Sequence, residues 1–210
     1  MKRILALTLA ILVPGLALAQ PFGNWKEQRF SLFSGNDWQQ SADGVSVVSD
    51  GAVSLIWTAL SPAQGNVRKA SWRWSVAQSV PATDLTQKGG DDRDLSLYFV
   101  FMPENVAAQN RNASIRKLLS VKEARVLMYV WGGEHARGSV LSSPYLGARG
   151  KTLIMRKAGT GDHRENVDLA TDYTKAFGGA KTTLVGLAVS ADSDDTDSTL
   201  KASLAGLRLQ

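Results

Sequence analysis

Residues 95–101 read LSLYFVF, and residues 125–131 read RVLMYVW. In an extended chain successive side chains point to opposite faces, so a strand with one face in water alternates apolar and polar residues. These two runs are instead apolar on both faces, with few polar interruptions. We therefore predict that they form central strands of a packed sandwich, covered on each side.

Regular alternation predicts further strands around these two. Residues 70–76 (ASWRWSV) place apolar side chains on one face and serines and an arginine on the other, as in a half-buried strand. The dipeptide Asp50–Gly51 separates residues 46–49 from 53–57. Because this dipeptide favours a type I′ turn, the two segments are predicted to be adjacent strands of a hairpin. Three more runs complete a set of eight predicted strands: residues 151–157, 182–190 and 199–209.

Two segments follow a helical period instead. Within residues 167–177, apolar side chains recur at i, i+4, i+7 and i+8. Asn166 or Asp168 can cap the start of this helix, and Gly178 can end it. Residues 112–121 predict a short surface helix. Many strands with one or two short helices predict an all-β fold, an antiparallel two-sheet β-sandwich of the jelly-roll type.

The first 19 residues, MKRILALTLAILVPGLALA, have the pattern of a secretory signal peptide. Lys2 and Arg3 precede an apolar run that ends in small residues, and Pro14 interrupts the run. The run is shorter than the roughly 20 apolar residues of a membrane span, so we expect no stable membrane insertion after cleavage. The sequence predicts a signal peptide over residues 1–19, a single domain over residues 20–210, and a periplasmic or secreted location.

Composition excludes several classes of function. There is no cysteine, which removes disulfides, thiolate metal sites and a thiol nucleophile. The formal net charge is +5, but the basic residues are scattered, so no nucleic-acid partner is indicated. His135 and His163 are the only histidines, too few for a typical zinc site. No phosphate-binding loop and no nucleophile elbow occur in the sequence.

Four segments together carry a family resemblance: residues 86–101 (TQKGGDDRDLSLYFVF), 129–132 (YVWG), 164–178 (RENVDLATDYTKAFG) and 187–196 (LAVSADSDDT). In order and spacing the chain resembles, from about Trp25 to its C-terminus, the bacterial family catalogued as domain of unknown function 3047. It departs from that family's pattern in two places, Asp84–Leu85 and the arginine-to-asparagine spacing of residues 164–167. The family has no established activity, so the resemblance implies fold and export but no reaction.

Charged residues cluster where the first central strand begins. Residues 88–94 contain Lys88, Arg93 and three aspartates. A nearby cation would keep the aspartates ionised, which favours a structural brace over a general acid. The alternative is a binding or catalytic site, for which the candidate ligand-binding residues are Lys88, Asp91, Asp92, Arg93, Trp131, Arg164 and Glu165. The candidate catalytic carboxylates are Asp91, Asp92 and Glu165.

The acidic turn before the last strand offers oxygen ligands for a hard cation. Asp192, Asp194 and Asp195 lie within four residues, and alternating aspartates can bind calcium. The EF-hand glycine and glutamate are missing, so the alternatives are a structural calcium site or a solvated acidic loop. No cofactor is otherwise required.

Six tryptophans leave a choice between a glycan platform and core filling. The clean alternation around Trp57, Trp72 and Trp74 predicts core positions, whereas Trp25 and Trp38 are predicted to be exposed. Three functions follow as hypotheses: an exported non-catalytic binding protein for a glycan or cell-envelope component, a carbohydrate-active hydrolase or lyase that uses two carboxylates, and an envelope accessory protein that docks on a protein partner.

Overall fold

A computed structural model describes residues 17–31, 34–111 and 113–210. These residues form a two-sheet, jelly-roll-like β-sandwich, which confirms the predicted fold class. The strands are β1 (Leu18–Ala19), β2 (Lys26–Arg29), β3 (Asp37–Gln40), β4 (Gly44–Asp50), β5 (Val53–Ala59), β6 (Lys69–Gln78), β7 (Arg93–Met102), β8 (Arg125–Trp131), β9 (Val140–Ser143), β10 (Gly147–Arg156), β11 (Gly161–Asp168), β12 (Thr183–Asp192) and β13 (Thr199–Leu209). The helices are α1 (Glu104–Gln109), α2 (Ile115–Ser120) and α3 (Leu169–Phe177), with a 3₁₀ turn at Pro62–Gln64.

The strands divide into a first and a second sheet. The first sheet has the order β11-β6-β13-β4-β3, and β1 pairs with the end of β13. The second sheet has the order β2-β5-β12-β7-β8-β10-β9. Every pairing in the described residues is antiparallel except that of β8 with β10, which is parallel. The prediction was a fully antiparallel sandwich. The difference arises because β9, which lies between β8 and β10 in the chain, does not lie between them in the sheet. It pairs with the far side of β10, so β10 lies next to β8 and runs parallel to it.

Aromatic side chains fill the space between the sheets. Trp72 and Trp74 of β6 are buried against the second sheet, where Trp72 contacts Tyr129 with ring centroids 5.5 Å apart. Trp74 contacts Trp131 at 5.7 Å in an edge-to-face arrangement. Such aromatic pairs add specific geometry to the large apolar area that they bury. The prediction that Trp72 and Trp74 belong to the core is confirmed.

The outer face of the second sheet is also apolar. Val100 and Met128 point away from the sandwich core and belong to a separate buried cluster, which Ile115 and Leu118 of α2 cover. The central strands β7 and β8 are therefore buried on both faces, as their composition predicts. Helix α2 covers only part of this outer face, and an open cavity lies on another part of it.

The predicted hairpin at Asp50–Gly51 is wrong. Gly51 has a φ of +53°, but Asp50 is the last residue of β4 and does not have the positive φ that a type I′ turn requires. In addition, β4 pairs with β3 and β13 of the first sheet, whereas β5 pairs with β2 and β12 of the second. The chain crosses from one sheet to the other at Gly51. The local dipeptide therefore did not predict which strands β4 and β5 pair with.

The helix at residues 167–177 is confirmed as α3. The Asp168 carboxylate accepts hydrogen bonds from the backbone N–H groups of Ala170 and Thr171, and Gly178 ends the helix with a φ of 73°. The short surface helix is α2, whose N-cap is Ser114; Asn112, where the prediction began, lies outside the described residues. The residues that precede α3, including His163, form strand β11, which is not among the eight predicted strands.

Residues 1–16 of the predicted signal peptide lie outside the described residues. Leu18 and Ala19 pair with the end of β13, and the Gln20 backbone N–H donates to the Leu207 carbonyl. Cleavage after Ala19 would remove β1 but keep the contact made by Gln20. The signal peptide stays a prediction. Within the described residues, no helix combines the length and apolarity needed to span a membrane.

Candidate functional site

An open cavity of about 370 Å³ lies on the outer face of the second sheet. We call it the outer cavity. Aliphatic side chains from β5 and β8 form much of its wall: Leu55, Met128 and Val130. Asp91, Arg93, Asp192, Asp194 and Asp195 line its polar end. Phe30 and Tyr145 line it as well and are 52% and 56% exposed.

Arg93 organises the polar end of the cavity. Its Nη1 lies 3.0 Å from Asp91 Oδ2 and 2.8 Å from Asp192 Oδ2. Its Nε donates to Ser96 Oγ at 2.9 Å, and its Nη2 donates to the Tyr98 hydroxyl at 3.3 Å. We call Asp91, Arg93 and Asp192 the Arg93 brace. All three side chains are at least 86% buried, so the Arg93 charge depends on these partners for compensation.

Strand register brings the brace together. Arg93 is the first residue of β7 and lies opposite Asp192, the last residue of β12. An irregularity in the pairing between Ser190 and Asp192 lies at this end of the strand. Cross-strand neighbours in a pair have Cβ atoms about 5 Å apart, which is within reach of an arginine–aspartate contact. The contact could not be read from spacing because 99 residues separate Arg93 from Asp192.

Tyr145 closes one side of the polar end. Its hydroxyl donates to Asp91 Oδ1 at 2.8 Å, and the Lys88 Nζ lies 5.5 Å from its ring centroid. Burial and the Asp91 carboxylate raise the pKa of Tyr145, which keeps the hydroxyl protonated as a donor. Ser143 Oγ accepts from the backbone N–H groups of Tyr145 and Leu146 and so shapes this turn. Tyr145 was not among the predicted site residues, because an isolated loop tyrosine belongs to no sequence pattern.

Asp92 is fully buried and serves the acidic turn rather than Arg93. Its Oδ1 accepts from the Asp195 backbone N–H, and its Oδ2 accepts from the backbone N–H and hydroxyl of Thr196. In return, Asp195 Oδ2 accepts from the backbone N–H of Asp91 at 3.3 Å. Asp91 and Asp92 therefore serve different partners, as expected for neighbours that point to different sides.

The structure changes the composition of the acidic cluster. Asp92, Asp194 and Asp195 each place a carboxylate oxygen within 4.8 Å of the other two. Asp192 was predicted to belong to this set, but one of its oxygens binds Arg93 and the other, Oδ1, is buried without a hydrogen-bond partner. Burial raises the pKa of Asp192 to about 8; Arg93 opposes this shift, and the neighbouring Asp194 adds to it.

Glu165 lies in a second polar group between the sheets. Its Oε1 accepts from Trp74 Nε1 at 3.2 Å and lies 2.9 Å from Arg156 Nη2. Only 3% of the Glu165 side chain is exposed, and the exposed Arg137 approaches Oε2 at 3.7 Å. We call Glu165, Arg156 and Trp74 the interior cluster. Its contacts lie with the core residues of β6 and β10, not with the Arg93 brace.

Two further candidates lie away from the outer cavity. Arg164 neighbours Glu165 on β11 and is exposed. Trp131 is 1% exposed, and its Nε1 donates to the Gly159 carbonyl at 2.9 Å. Its ring also contacts His163, with centroids 5.0 Å apart. Of the seven predicted ligand-binding residues, the structure brings Lys88, Asp91, Asp92 and Arg93 together and separates Trp131, Arg164 and Glu165 from them.

The predicted exposed tryptophan pair is wrong. Trp25 is 5% exposed and packs on Phe22 with ring centroids 4.6 Å apart. Trp38 is half-buried, and its Nε1 donates to Ser54 Oγ at 2.8 Å. Both tryptophans lie in polar stretches of sequence. Each indole N–H nevertheless donates a hydrogen bond within the protein, which lowers the free-energy cost of burying the ring. Phe30 and Tyr145 are the exposed aromatic residues at the cavity.

Asp94 lies on the opposite face of β7 from Arg93. It is fully buried and accepts hydrogen bonds from the Val80 backbone N–H and from Ser79 Oγ, both at 2.9 Å. Burial raises its pKa to about 6, and no basic side chain among the described residues forms an ion pair with it to offset the loss of water. Adjacent positions of one strand thus hold a charge-paired group at the cavity and a hydrogen-bonded carboxyl in the interior.

Three solved structures are similar in fold at low sequence identity. The xyloglucanase domain of NopAA, a type three effector from Sinorhizobium fredii in complex with cellobiose, has a TM-score of 0.49 at 10% identity, covering 89% of this chain and 92% of that one. A Cel12A cellulase derived from Rhodothermus marinus has a TM-score of 0.45 at 9% identity, with 93% and 99% covered. The family 11 xylanase from Neocallimastix patriciarum has a TM-score of 0.42 at 11% identity, with 93% and 99% covered.

No curated protein matches the chain in sequence. The family described as "Protein of unknown function (DUF3047)" matches residues 23–208, nearly all of the domain described above. This match confirms the resemblance seen in residues 86–101, 129–132, 164–178 and 187–196. The chain therefore belongs to the DUF3047 family.

Proposed function

We propose that this protein is an exported, non-catalytic binding protein that holds a glycan or another cell-envelope component in the outer cavity. Support for export comes from the signal-peptide pattern of residues 1–19. Support for binding comes from a concave site that combines apolar walls with a few convergent polar groups, which is the usual character of a ligand pocket.

The observation that carries the non-catalytic assignment is the position of Arg93. One nitrogen of its guanidinium contacts both Asp91 and Asp192, so the space between the two carboxylates is occupied. A glycosidase needs that space for the scissile bond, with or without a water molecule. The Asp91 carboxylate also compensates the buried arginine, which it could not do while exchanging protons with a substrate.

The proposal requires no cofactor. If ligand binding depends on calcium, the cluster of Asp92, Asp194 and Asp195 is where the ion would bind, since carboxylate oxygens are the ligands that calcium prefers. Asp92 already accepts hydrogen bonds from the acidic turn, so its role there does not depend on a cation.

A glycan panel tests the proposal directly. The mature protein is titrated with soluble glycans while heat and tryptophan fluorescence are recorded, and the same mixtures are assayed for new reducing ends. We expect saturable binding without release of reducing ends. Turnover would contradict the non-catalytic assignment, and a complete lack of binding across glycans and envelope extracts would contradict the binding function.

Two matched variants locate the binding site. Tyr145→Ala removes an exposed ring at the cavity and should weaken binding about tenfold if the ring stacks on the ligand. Val48→Ala removes an apolar side chain of 38% exposure on β4 of the other sheet and should leave binding unchanged. Equal effects of the two variants would place the ligand elsewhere.

A carboxylate-dependent hydrolase or lyase is the second candidate, favoured by one observation. With a pKa of about 8, Asp192 holds its proton at neutral pH, as a general acid must. This candidate predicts that Asp192→Asn abolishes release of reducing ends while glycan binding persists. It fails if the wild-type protein, at micromolar concentration, releases none.

A further inference from the structure

The wall chemistry of the outer cavity restricts the ligand further, provided that the ligand binds there as proposed. Leu55 and Met128 are buried side chains of β5 and β8 that present hydrocarbon to the cavity, and Val53 and Leu146 extend this surface toward solvent. Sugar hydroxyls placed against these walls would lose water without gaining partners, which costs free energy. A hydrocarbon group loses nothing polar and gains from leaving water.

Charge at the polar end restricts the other part of the ligand. Asp91 and Asp192 already contact Arg93. Among the residues that the structure describes, no basic side chain forms an ion pair with Asp194 or Asp195. Even without Asp192, the four aspartates at this end outnumber Arg93 and the nearby Lys88, so the end has an excess of negative charge and of hydrogen-bond acceptors: Asp91, Asp92, Asp194 and Asp195. It repels phosphate, sulfate and carboxylate groups and accepts hydrogen bonds from hydroxyl groups.

We propose that the outer cavity binds an amphiphile in which a hydrocarbon chain is attached to an uncharged, hydroxyl-rich headgroup. The chain lies along Leu55, Met128 and Val53, and the headgroup lies at Asp194 and Asp195, beside the exposed ring of Tyr145. Among envelope components, this chemistry is that of a glycan with an acyl or alkyl chain. A free glycan offers only half of it, and an anionic lipid has the wrong charge.

A homologous series of ligands tests this inference. Calorimetry of the mature protein compares glucose with alkyl glucosides from butyl to octyl, each below its micelle-forming concentration, and with octyl sulfate. We expect affinity to rise about threefold for each added methylene until the cavity is full, because burial of a methylene group contributes at this scale. Octyl sulfate should bind at least tenfold more weakly than octyl glucoside.

Variants of the cavity wall test whether the hydrocarbon chain of the ligand lies in the outer cavity. Val53→Trp fills the cavity wall and should remove the dependence on chain length, whereas Val48→Trp introduces the same residue on the outer face of β4 and should preserve it. Melting curves check that both variants fold. If Val53→Trp does not fold, Leu146→Trp tests the same wall from a half-buried loop position. Asp194→Asn removes a negative charge from the polar end and should therefore reduce the difference in affinity between octyl glucoside and octyl sulfate.

The outcomes separate this inference from the proposed function. Binding of glycans with no dependence on chain length would overturn the inference and leave the binding function intact. Equal affinity for octyl sulfate and octyl glucoside would overturn the headgroup assignment. A chain-length dependence that persists in Val53→Trp and in Leu146→Trp would place the chain outside the cavity and overturn the inference as well. Failure of every glucoside, together with failure of the glycan panel, would overturn both.

Discussion

The Arg93 brace and the interior cluster contain the same chemical groups in different places. Each pairs an arginine with a buried carboxylate: Arg93 with Asp91 and Asp192, and Arg156 with Glu165. Their burial is similar, since the Asp91 side chain is 6% exposed and that of Glu165 is 3% exposed. The difference is that the brace lines an open cavity, whereas the interior cluster packs against Trp74 between the sheets. Burial and charge alone therefore do not identify a ligand site.

The interior cluster should show the largest effect on stability. Glu165→Ala leaves Arg156 largely buried without its carboxylate and removes the acceptor of Trp74 Nε1. Loss of one partner of a buried pair costs several kcal/mol, so we expect a decrease of about 4 kcal/mol in the free energy of unfolding, measured in urea. Ligand binding by the remaining folded protein should be unchanged.

Asp162→Ala is the matched control. It breaks the Arg73–Asp162 pair, which lies on the same two strands, β6 and β11, but has side chains that are 56% and 47% exposed. Exposed pairs contribute little because water screens them, so a much smaller loss of stability than in Glu165→Ala is expected. If Glu165→Ala and Asp162→Ala lower the free energy of unfolding by similar amounts, burial of the Glu165–Arg156 pair adds nothing to its effect on stability. That result would contradict the structural role assigned to the interior cluster.

The pH dependence of stability distinguishes the two faces of β7. The pKa of Asp94 is raised by burial to about 6, so the folded protein holds a proton that the unfolded chain releases near pH 4. This contribution is fully present below pH 4 and is lost as the pH rises through 6, at a cost of about 3 kcal/mol. Asp94→Asn should reduce the slope of the free energy of unfolding between pH 4 and 6 by about half, because Asp192 contributes the rest of the slope in this range.

Asp192 extends the same effect to higher pH on the cavity side. Burial raises its pKa to about 8, so its contribution continues to fall between pH 6 and 8. Asp192→Asn should remove the dependence in that upper range, while Asp94→Asn should leave it in place. Urea denaturation at closely spaced pH values separates the two ranges. A wild-type curve that is flat from pH 4 to 8 would contradict both assignments.

Asp92 should show a smaller effect, confined to the acidic turn. Asp92→Ala removes the acceptor for the backbone N–H groups of Asp195 and Thr196, which are then left unpaired near the surface. Because hydrogen bonds to a charged group contribute about 2 kcal/mol, a loss of that size is expected by urea denaturation. Asp197→Ala, in the same turn, serves as the control: its cost comes only from its φ of 46° and should be smaller. Equal losses would mean that Asp92 does not organise the turn.

Periodic patterns predicted most of the fold. The eight predicted strands correspond to β4, β5, β6, β7, β8, β10, β12 and β13, and α3 begins at one of the two predicted caps. Strand pairing was less accessible. The Asp50–Gly51 turn connects different sheets because partner choice depends on the whole apolar face of a strand, and no local signal records it. The short edge strands β2, β3 and β9 contain a single buried residue between them, Ser143, and carry weak patterns.

The candidate site was predictable in part. Charge density drew attention to residues 88–94, and the proximity of the acidic turn to them is observed. Glu165 does not lie at the predicted site because residues 164–166 belong to β11, whose register turns Glu165 toward the core beside Trp74, and no local pattern predicted this strand. Tyr145 was missed because its partner, Asp91, is 54 residues away and joins it only through the fold.

Removal of divalent cations should have the smallest effect of all. The acidic turn is held by Asp92 through hydrogen bonds, and Asp194 and Asp195 are exposed enough for water to solvate them. We therefore expect EDTA to change the melting temperature by less than about 1 °C, since a ligand that does not bind the folded state does not stabilise it. A rise of several degrees on adding calcium, absent in Asp194→Asn, would contradict this expectation. It would also make the polar end of the outer cavity a cation site and reduce the negative charge on which the preference for an uncharged headgroup depends.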